Sequence, residues 1–251
     1  MAVLEAKGIV RTYGQVVALD EADFSVEAGE VTALIGDNGA GKSTMVKILS
    51  GTEQPEGGEI IFKGKQVKFA RPSDARALGI ETVFQDLALC PHLDAVNNMY
   101  LGREVMRKGI MGKLGFMNRK EMKEGSVDAF ADLGATVRTL TEAVGSMSGG
   151  QKQSIAVARS ASWANEVVFL DEPTAALGVV QTKNVLELIK RVRDKGIGVV
   201  LISHSMPEVL QVSDTVQVFR RGRRVATYET AQTSLEELVG TMTGALDEEL
   251  A

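Results

Sequence analysis

The sequence has little of several features that would assign a chain to a special class. Cysteine occurs once, as Cys90, which excludes an internal disulfide framework and suits a small packed side chain. No apolar run reaches the roughly 20 residues that a membrane-spanning helix needs. The first residues lack the long apolar stretch of a signal peptide. We therefore expect a soluble intracellular protein.

Positive charge is not in excess either. The net charge is −5, which argues against a broad nucleic-acid-binding face, so we predict no nucleic acid partner. Four arginines do surround Gly222, and they are Arg220, Arg221, Arg223 and Arg224. Charges grouped around a glycine between two apolar runs are typical of a solvated hairpin tip, which is the structure we predict there.

The 251 residues suit one domain or one domain with an insertion. The first third predicts short strands at residues 3–10, 22–26, 31–35 and 59–62, with turns at 57–58 and 63–65. Residues 93–144 change to helical patterns, and we predict a helical subdomain inserted at about 87–162.

The remainder of the chain alternates helical patterns with strongly apolar strands. These strands are predicted at residues 167–170, 198–203 and 215–219. Such alternation indicates an α/β fold with a parallel sheet. We predict a single domain over residues 1–244 and a solvated acidic tail over 245–251.

A glycine-rich loop between a predicted strand and a predicted helix is the most informative motif. It matches G-x-x-x-x-G-K-[ST], and its residues are Gly36, Asp37, Asn38, Gly39, Ala40, Gly41, Lys42, Ser43 and Thr44. Glycines let backbone N–H groups turn onto phosphate oxygens, and the helix N-terminus adds partial positive charge. The motif predicts that Lys42 reaches the β- and γ-phosphates and that Ser43 offers its hydroxyl to Mg²⁺.

Polar side chains follow three apolar strands, at the ends where α/β proteins place their ligands. Asp171 and Glu172 come directly after a buried strand. Asp171 is placed to hold Mg²⁺, and Glu172 could polarise an attacking water as general base. Gln85 and His204 each end another strand, and we predict that His204 senses the γ-phosphate.

A second serine–glycine turn precedes another helix. It follows Met147 and consists of Ser148, Gly149, Gly150 and Gln151. By itself this turn fits an ordinary helix N-cap as well as an anion-binding site. Beside the glycine-rich loop and the acidic pair, it indicates a second set of donors for the same nucleotide.

These motifs, in this order, resemble those of ATP-binding cassette (ABC) subunits over nearly the whole chain. The glycine-rich loop matches the Walker A loop, and residues 147–151 match the LSGGQ signature, with Met in place of the usual Leu. The other matches are Tyr13 with the aromatic residue that stacks on adenine, Gln85 with the Q-loop glutamine, Asp171 with the Walker B aspartate, Glu172 with the catalytic glutamate and His204 with the switch histidine.

The resemblance implies a P-loop NTPase fold with a central, mostly parallel sheet, an N-terminal antiparallel β-subdomain and an inserted helical subdomain. It implies an ATPase that uses ATP and Mg²⁺. The implied catalytic residues are Glu172, His204, Lys42 and Gln85, and the implied metal-binding residues are Ser43, Gln85 and Asp171. It also implies a head-to-tail dimer with a second, identical subunit, in which each ATP contacts Ser148, Gly149 and Gly150 of the opposite copy.

Looser strings at residues 97–104 and 201–206 most resemble ATP-binding subunits of bacterial monosaccharide importers of the fructose type. This resemblance implies a transmembrane permease as partner and, indirectly, a periplasmic or extracellular sugar-binding protein. It also implies that the protein lies on the cytoplasmic face of the cell membrane. We predict that the apolar segment from Leu87 to Tyr100 forms a groove for a short helix of the permease. Gly178 stands where the family usually carries an aspartate that helps to couple the two sites.

Two alternatives stay open at this point. One is a soluble cassette ATPase of DNA repair, translation or cluster assembly, for which the chain has neither basic charge nor a long heptad insertion. The other is a GTPase-like switch, which would need a guanine-selective N-K-x-D motif that the sequence lacks.

Overall fold

The structure is a computed structural model that describes residues 2–135, 137, 139–175 and 177–245. Its first part contains strands β1 (Ala2–Tyr13), β2 (Val16–Glu27) and β3 (Val31–Ile35), helix α1 (Lys42–Leu49), strands β4 (Gly57–Phe62) and β5 (Lys65–Val67), helix α2 (Pro72–Ala77) and strand β6 (Ile80–Val83). Four helices follow, and they are α3 (Ala95–Met99), α4 (Ile110–Lys113), α5 (Arg119–Leu133) and α6 (Gly149–Trp163). The last part contains β7 (Val167–Asp171), α7 (Val179–Asp194), β8 (Gly198–Ile202), α8 (Met206–Val212), β9 (Thr215–Arg220), β10 (Arg223–Glu229) and α9 (Leu235–Thr243).

The central sheet has the strand order β10-β9-β3-β8-β7-β6. Its strands are parallel except for β10, which pairs with β9 in an antiparallel hairpin. Strands β3 and β8 are buried along their whole length, which is why they read as continuous apolar runs. The carboxyl ends of the five parallel strands meet at one edge. The residues that follow these ends in the chain include Gly36, Gln85, Glu172 and His204.

A second sheet is antiparallel and has the order β2-β1-β4-β5. Helix α1 lies between the two sheets. Its apolar residues share one core with Phe24 of the antiparallel sheet and Phe169 of the central sheet. Burial of this face holds α1, and therefore the loop before it, in a fixed place between the two sheets.

Helices α3, α5, α6 and α7 cover the other face of the central sheet in a separate core. Helices α3 to α6 lie in the chain between the neighbouring strands β6 and β7. This placement supports the helical subdomain expected at about 87–162, although its boundaries and the single domain over 1–244 stay predictions. Among the described residues, no helix combines the length and the apolar character needed to cross a bilayer.

The predicted α/β class, the parallel sheet and the hairpin at Gly222 are confirmed. The predicted turn at residues 57–58 is wrong, because both glycines begin β4. Gly58 has φ +86°, and a Cβ atom there would collide with the carbonyl oxygen of Gly8, so glycine permits a close approach of two strands. The predicted acidic tail lies outside the described residues beyond Ala245.

Candidate functional site

The glycine-rich loop between β3 and α1 needs glycine at two positions. Gly36 has φ +149° and Gly41 has φ +103°. A Cβ atom at Gly41 would lie 2.6 Å from the carbonyl oxygen of Ala18, and one at Gly36 would collide with the carbonyl oxygen of Phe219. A glycine-specific loop that opens a helix has the geometry of an anion-binding site.

The tip of the β9–β10 hairpin is hydrogen-bonded to this loop. The backbone N–H of Gly222 donates to the carbonyl of Ala40 at 3.1 Å, and the carbonyl of Gly222 accepts from the N–H of Asp20 at 2.9 Å. The arginine-flanked glycine therefore joins the loop to strand β2 through backbone hydrogen bonds.

Lys42, the first residue of α1, folds its side chain back over the loop. Its Nζ atom donates to the carbonyl oxygen of Gly36 at 2.6 Å and to that of Asp37 at 2.9 Å. The residue is only 6% exposed, and burial lowers the pKa of its ammonium group, while the carboxylates of Glu172, Asp37 and Asp171 oppose that shift. The loop thus presents a partly desolvated cation suited to phosphate oxygens.

Strand β7 delivers two carboxylates to the same edge. The N–H of Glu172 donates to the carbonyl of Ile202 at 2.9 Å, which extends the pairing with β8 beyond the strand. Glu172 has φ +50°, a left-handed conformation that costs a non-glycine residue free energy. Its Oε1 atom lies 2.5 Å from Nε2 of His204, so an imidazole orients this carboxylate.

Asp171 is the last residue of β7 and is half-buried. Burial raises the pKa of its carboxyl group, the nearby Glu172 raises it further, and Lys42 and His204 lower it. Among the described residues, no three His, Cys, Asp or Glu side chains cluster closely enough to hold a metal ion. Mg²⁺ needs no such cluster, because it commonly takes one or two protein ligands and completes its shell with water and phosphate oxygens. A carboxylate such as that of Asp171 and a hydroxyl such as that of Ser43 are ligands of the kind it prefers.

Tyr13 lies at the end of β1 and is 42% exposed. The guanidinium carbon of Arg11 lies 5.0 Å from the centre of its ring, and its hydroxyl donates to the carboxylate of Glu53. That hydrogen bond is the main cause of the lowered pKa of Glu53, which also pairs with Lys47 of α1 at 3.2 Å. The ring is therefore held at its hydroxyl end and covered on one side by a cation.

A cavity of about 290 Å³ joins these parts. Of the predicted site residues, it is lined by Tyr13, Asn38, Gly39, Ala40, Gly41, Lys42, Ser43, Thr44, Glu172 and His204. An aromatic ring, the glycine-rich loop and a carboxylate–imidazole pair therefore surround one cavity. Residues 13–18 and 202–204 thus meet the loop although they lie far apart in the sequence.

Comparison with known families matches residues 19–175 to the family described as "ABC transporter". The chain belongs to the ABC transporter family. It is an ATP-binding cassette, and the activity of this cassette is ATP hydrolysis coupled to transport.

Curated relatives agree with this assignment. The chain is 47% identical to the fructose import ATP-binding protein FrcA of Rhizobium meliloti, over 97% of this chain and 94% of that protein. It is 42% identical to the xylose/arabinose import ATP-binding protein XylG of Sulfolobus acidocaldarius, over 96% and 94%. It is also 37% identical to a ribose import ATP-binding protein of Burkholderia cenocepacia, of which it spans 47%.

Solved structures establish the fold. The ADP conformation of an ATP-binding cassette of an ABC transporter matches with a TM-score of 0.79 at 23% identity, over 97% of this chain and 95% of that one. A dimeric cassette in a post-hydrolysis state, bound to ADP and Pi, matches with a TM-score of 0.76 at 22% identity, over 90% and 98%.

The LSGGQ-like turn of this cassette lies away from the cavity of its own chain. Ser148 caps helix α6, because the N–H of Gln151 donates to its Oγ atom at 3.4 Å and the side chain of Gln151 accepts from the N–H of Ser148 at 3.1 Å. Ser148 and Gly149 are exposed, whereas Gly150 is buried against Gln181 of α7. The turn is well ordered by its own hydrogen bonds and open to a partner.

Three further predicted residues do not line the cavity. The carbonyl oxygen of Gly36 accepts from Lys42, and the carboxylate of Asp171 is within electrostatic reach of Glu172 and Lys42. Gln85 is exposed in the turn after β6. The last paired residues of β6 and β7 are Val83 and Leu170, so Gln85 and Glu172 each follow the end of this pairing by two residues.

Val16 and Ala18 of β2 also border the cavity, and the sequence analysis missed them. Val16 follows the turn after Tyr13 and is strongly exposed for a valine. The available signal in the sequence was an apolar residue just after the short turn that follows the aromatic residue. This signal is weak, because single exposed apolar residues are normal on a protein surface.

Proposed function

We propose that this cassette hydrolyses ATP to drive an importer of a monosaccharide, with fructose as the first candidate. The observation that carries the proposal is the single cavity in which Lys42 and its loop face the Glu172–His204 pair. The near-complete overlap with the fructose and xylose/arabinose import proteins supports the choice of cargo class.

The residues divide the reaction between them. Lys42 and the loop N–H groups bind the phosphates, and Lys42 exchanges its contacts to the carbonyls of Gly36 and Asp37 for phosphate oxygens. Glu172, oriented by His204, accepts the proton of the attacking water on a carboxylate oxygen. Ser43, Asp171 and Gln85 would hold Mg²⁺, which supplies charge neutralisation for the phosphates when bound.

A second, identical copy would complete the site. The exposed Ser148 and Gly149 offer a hydroxyl and a helix N-terminus that no part of their own cavity uses. The dimeric arrangement of a structurally similar cassette supports this proposal. In such a dimer the serine–glycine turn of one copy would contact the nucleotide held by the loop of the other.

The other proposed partners are a transmembrane permease and, through it, a sugar-binding protein outside the membrane, with the cassette on the cytoplasmic face. A cavity of about 340 Å³ between the central sheet and the helical part suits a short permease helix, and its apolar lining includes Phe84, Ala88, Leu101 and Trp163. The groove predicted from Leu87 to Tyr100 needs correction, because Ala95 and Val96 are buried and do not line this cavity, whereas Ala88 and Met99 do.

The function is tested by purifying the cassette with its permease in lipid vesicles and measuring ATP hydrolysis with a panel of sugars and binding protein. We expect stimulation by one monosaccharide, with fructose the first to try. Stimulation of the cassette by nucleic acid, with no permease retained, would instead favour a soluble cassette ATPase.

Docking at the 340 Å³ cavity should be lost on adding a negative charge to its apolar rim. Leu101 is 49% exposed and can be replaced by Asp. Ala88 has φ +46°, a left-handed conformation that Asp tolerates, so Ala88 can also be replaced by Asp. A carboxylate on this rim must lose its water on docking and interrupts the apolar contact, which should weaken permease binding by about 10- to 100-fold, measured by co-purification and sugar uptake. Ile110→Asp is the control, since Ile110 is 76% exposed but lies outside the cavity. Unchanged uptake in both rim variants would place docking elsewhere.

Tyr13→Ala should weaken ATP binding through the base alone. A stacked base contributes about 1–3 kcal/mol, so the KM for ATP should rise by about 5- to 150-fold with little change in kcat. Binding of inorganic tripolyphosphate, which has no base, should not change. Phe116→Ala removes an equally exposed aromatic ring far from the loop and should have no effect on either ligand. Equal losses for ATP and tripolyphosphate would contradict the stacking role.

A further inference from the structure

Between helices α3 and α5 the chain makes a closed excursion, which we call the arm (residues 105–118). Met106 and Met117 form an isolated antiparallel bridge near its base. The N–H of Asn118 donates to the carbonyl of Val105 at 2.6 Å, which closes the base. Asn118 is also the N-cap residue of α5, so the arm ends where a packed helix begins. The arm is therefore a defined structure attached to the core at one end.

The tip of the arm contains the short helix α4 and pairs its backbone groups internally. The N–H of Leu114 donates to the carbonyl of Ile110 at 3.0 Å. The N–H of Phe116 donates to the carbonyl of Met111, also at 3.0 Å. Backbone groups that already have partners within their own segment can leave water at a much lower cost in free energy than unpaired ones.

The surface of the arm carries several large apolar side chains. Every residue from 106 to 116 except Gly112 is exposed. Five of these exposed residues are large and apolar, and they are Met106, Ile110, Met111, Leu114 and Phe116. A single exposed apolar side chain is normal on a protein, but several on one short segment mark an interaction surface for another protein or for a membrane.

The charge of this region is opposite to that of the whole chain. Residues 105–120 contain five basic residues and no acidic one, although the net charge of the chain is −5. Within the part of the chain that the structure describes, only Lys120 of these five makes an ion pair, with Glu124 at 3.9 Å. The other four are Arg107, Lys108, Lys113 and Arg119. Unpaired cations around an apolar tip complement a surface that has anionic groups outside and an apolar layer beneath.

A lipid surface fits this combination better than a protein surface does. Lysine is depleted from the cores of protein–protein interfaces, yet Lys108 and Lys113 alternate with the apolar residues at the tip. On a membrane the same arrangement is favourable, because long basic side chains lay their stems along apolar groups and extend their charges to the headgroups.

The arm also begins beside the cavity that we propose for the permease. Arg103 lines that cavity, and Val105 follows two residues later. Two residues of extended chain span about 7 Å, so the base of the arm is close to the cavity rim. A side of the cassette that receives a permease helix faces the bilayer, and this one step rests on the proposed function.

We propose that the arm is a lipid-binding element that inserts its apolar tip among the headgroups of an anionic membrane, with its basic side chains on the lipid phosphates. It brings the free cassette to the membrane without help from the permease. In the assembled importer the permease itself holds the cassette at the bilayer. Ile110→Asp therefore keeps permease docking, for which it serves as the control, and loses only the contact with lipid.

The test is flotation of the purified cassette with vesicles, in the absence of ATP, sugar and permease. One set of vesicles is phosphatidylcholine alone, and the other is phosphatidylcholine and phosphatidylglycerol in equal parts. We expect binding to the mixed vesicles only, with loss of binding at about 1 M salt, where the Debye length falls to about 3 Å. An acidic chain without a basic arm would be repelled by these vesicles, so absence of wild-type binding would overturn the inference.

Substitution of one apolar residue tests the tip. Ile110→Asp removes an inserted side chain and adds a like charge, so binding to the mixed vesicles should weaken by about 10- to 100-fold. Leu101→Asp is the matched control, because Leu101 is also exposed but precedes the arm and lines the permease cavity. It should bind vesicles like the wild type although it loses the permease, which is the reverse of the result for Ile110→Asp.

Substitution of two lysines tests the charges. Each basic residue near an anionic membrane contributes about five-fold to binding, so Lys108→Gln with Lys113→Gln should weaken it by about 10- to 30-fold. The control is Lys65→Gln with Lys68→Gln, two exposed lysines outside the arm that give the same change in net charge. Equal losses in both pairs would show attraction without a defined site and would overturn the inference.

A tryptophan in the arm reports insertion directly. Phe116→Trp should show a blue shift of its fluorescence with the mixed vesicles, since indole rings favour the membrane interface. The wild-type protein is the control, because its only tryptophan, Trp163, lies outside the arm.

Two further results would overturn the inference. One is wild-type binding of Ile110→Asp to the mixed vesicles. The other is loss of its co-purification with the permease in detergent, which would assign the arm to a protein contact. Failure of the proposed function would appear elsewhere, as no sugar- and permease-dependent hydrolysis of ATP, which flotation does not measure.

Discussion

Replacing Glu172 by glutamine should lower the turnover of ATP by at least about 10²-fold while leaving ATP binding intact. The amide has nearly the shape of the carboxylate and can still contact Nε2 of His204, but it cannot accept the proton of the attacking water. Single-turnover hydrolysis and equilibrium nucleotide titration separate the two effects. A longer-lived ATP-bound dimer should also appear by size-exclusion chromatography.

The matched control is Glu166→Gln. Glu166 precedes the opposite end of β7, where it pairs with Lys63 at 2.5 Å, and it takes no part in the cavity. This variant should hydrolyse ATP at the wild-type rate. Near wild-type hydrolysis by Glu172→Gln would exclude Glu172 as the general base.

Lys42→Ala and Ser148→Arg should fail at different steps. Removing the ammonium group of Lys42 deletes charge-assisted hydrogen bonds to phosphate, so ATP affinity of the single subunit should fall by about 10- to 100-fold. Ser148 is exposed and lies outside its own cavity, so arginine there should leave binding by the single subunit nearly unchanged. ATP-driven dimerisation and hydrolysis should both be abolished.

Light scattering with and without ATP, together with nucleotide titration, distinguishes these results. Ser146→Arg is the control for added bulk and charge, because Ser146 is also exposed and lies two residues before Ser148. If Ser148→Arg weakened ATP binding by the single subunit as much as Lys42→Ala does, the site would not be shared between two copies.

The sequence was sufficient for those parts of the site that are encoded by local pattern. Lys42 follows an apolar strand and begins a helix, and Glu172 and His204 each end an apolar strand, so their meeting follows from the rule that ligands bind at the carboxyl edge of a parallel sheet. The hairpin at Gly222 was likewise predictable from its glycine and flanking charges.

Contacts between distant segments could not be predicted in this way. Two examples are the hydrogen bond from Tyr13 to Glu53 and the hydrogen bond from Arg159 to the carbonyl oxygen of Leu87. Both depend on which surfaces the whole fold brings together. The left-handed backbone at Leu87 and Ala88 also has no local signal, since neither residue favours it. The same limit explains the apolar segment up to Tyr100, because hydrophobicity alone does not separate core from groove.

The hairpin tip has a consequence for which ligands can fit. Gly222 fastens the phosphate loop at Ala40 to strand β2 at Asp20, and β2 pairs directly with the strand that carries Tyr13. The distance between the glycine-rich loop and the strand that carries the aromatic ring is therefore fixed by backbone hydrogen bonds. We therefore expect the proposed ATP site to select by length as well as by charge, because a bare polyphosphate would leave the ring without a partner and a nucleoside would leave the loop without phosphate.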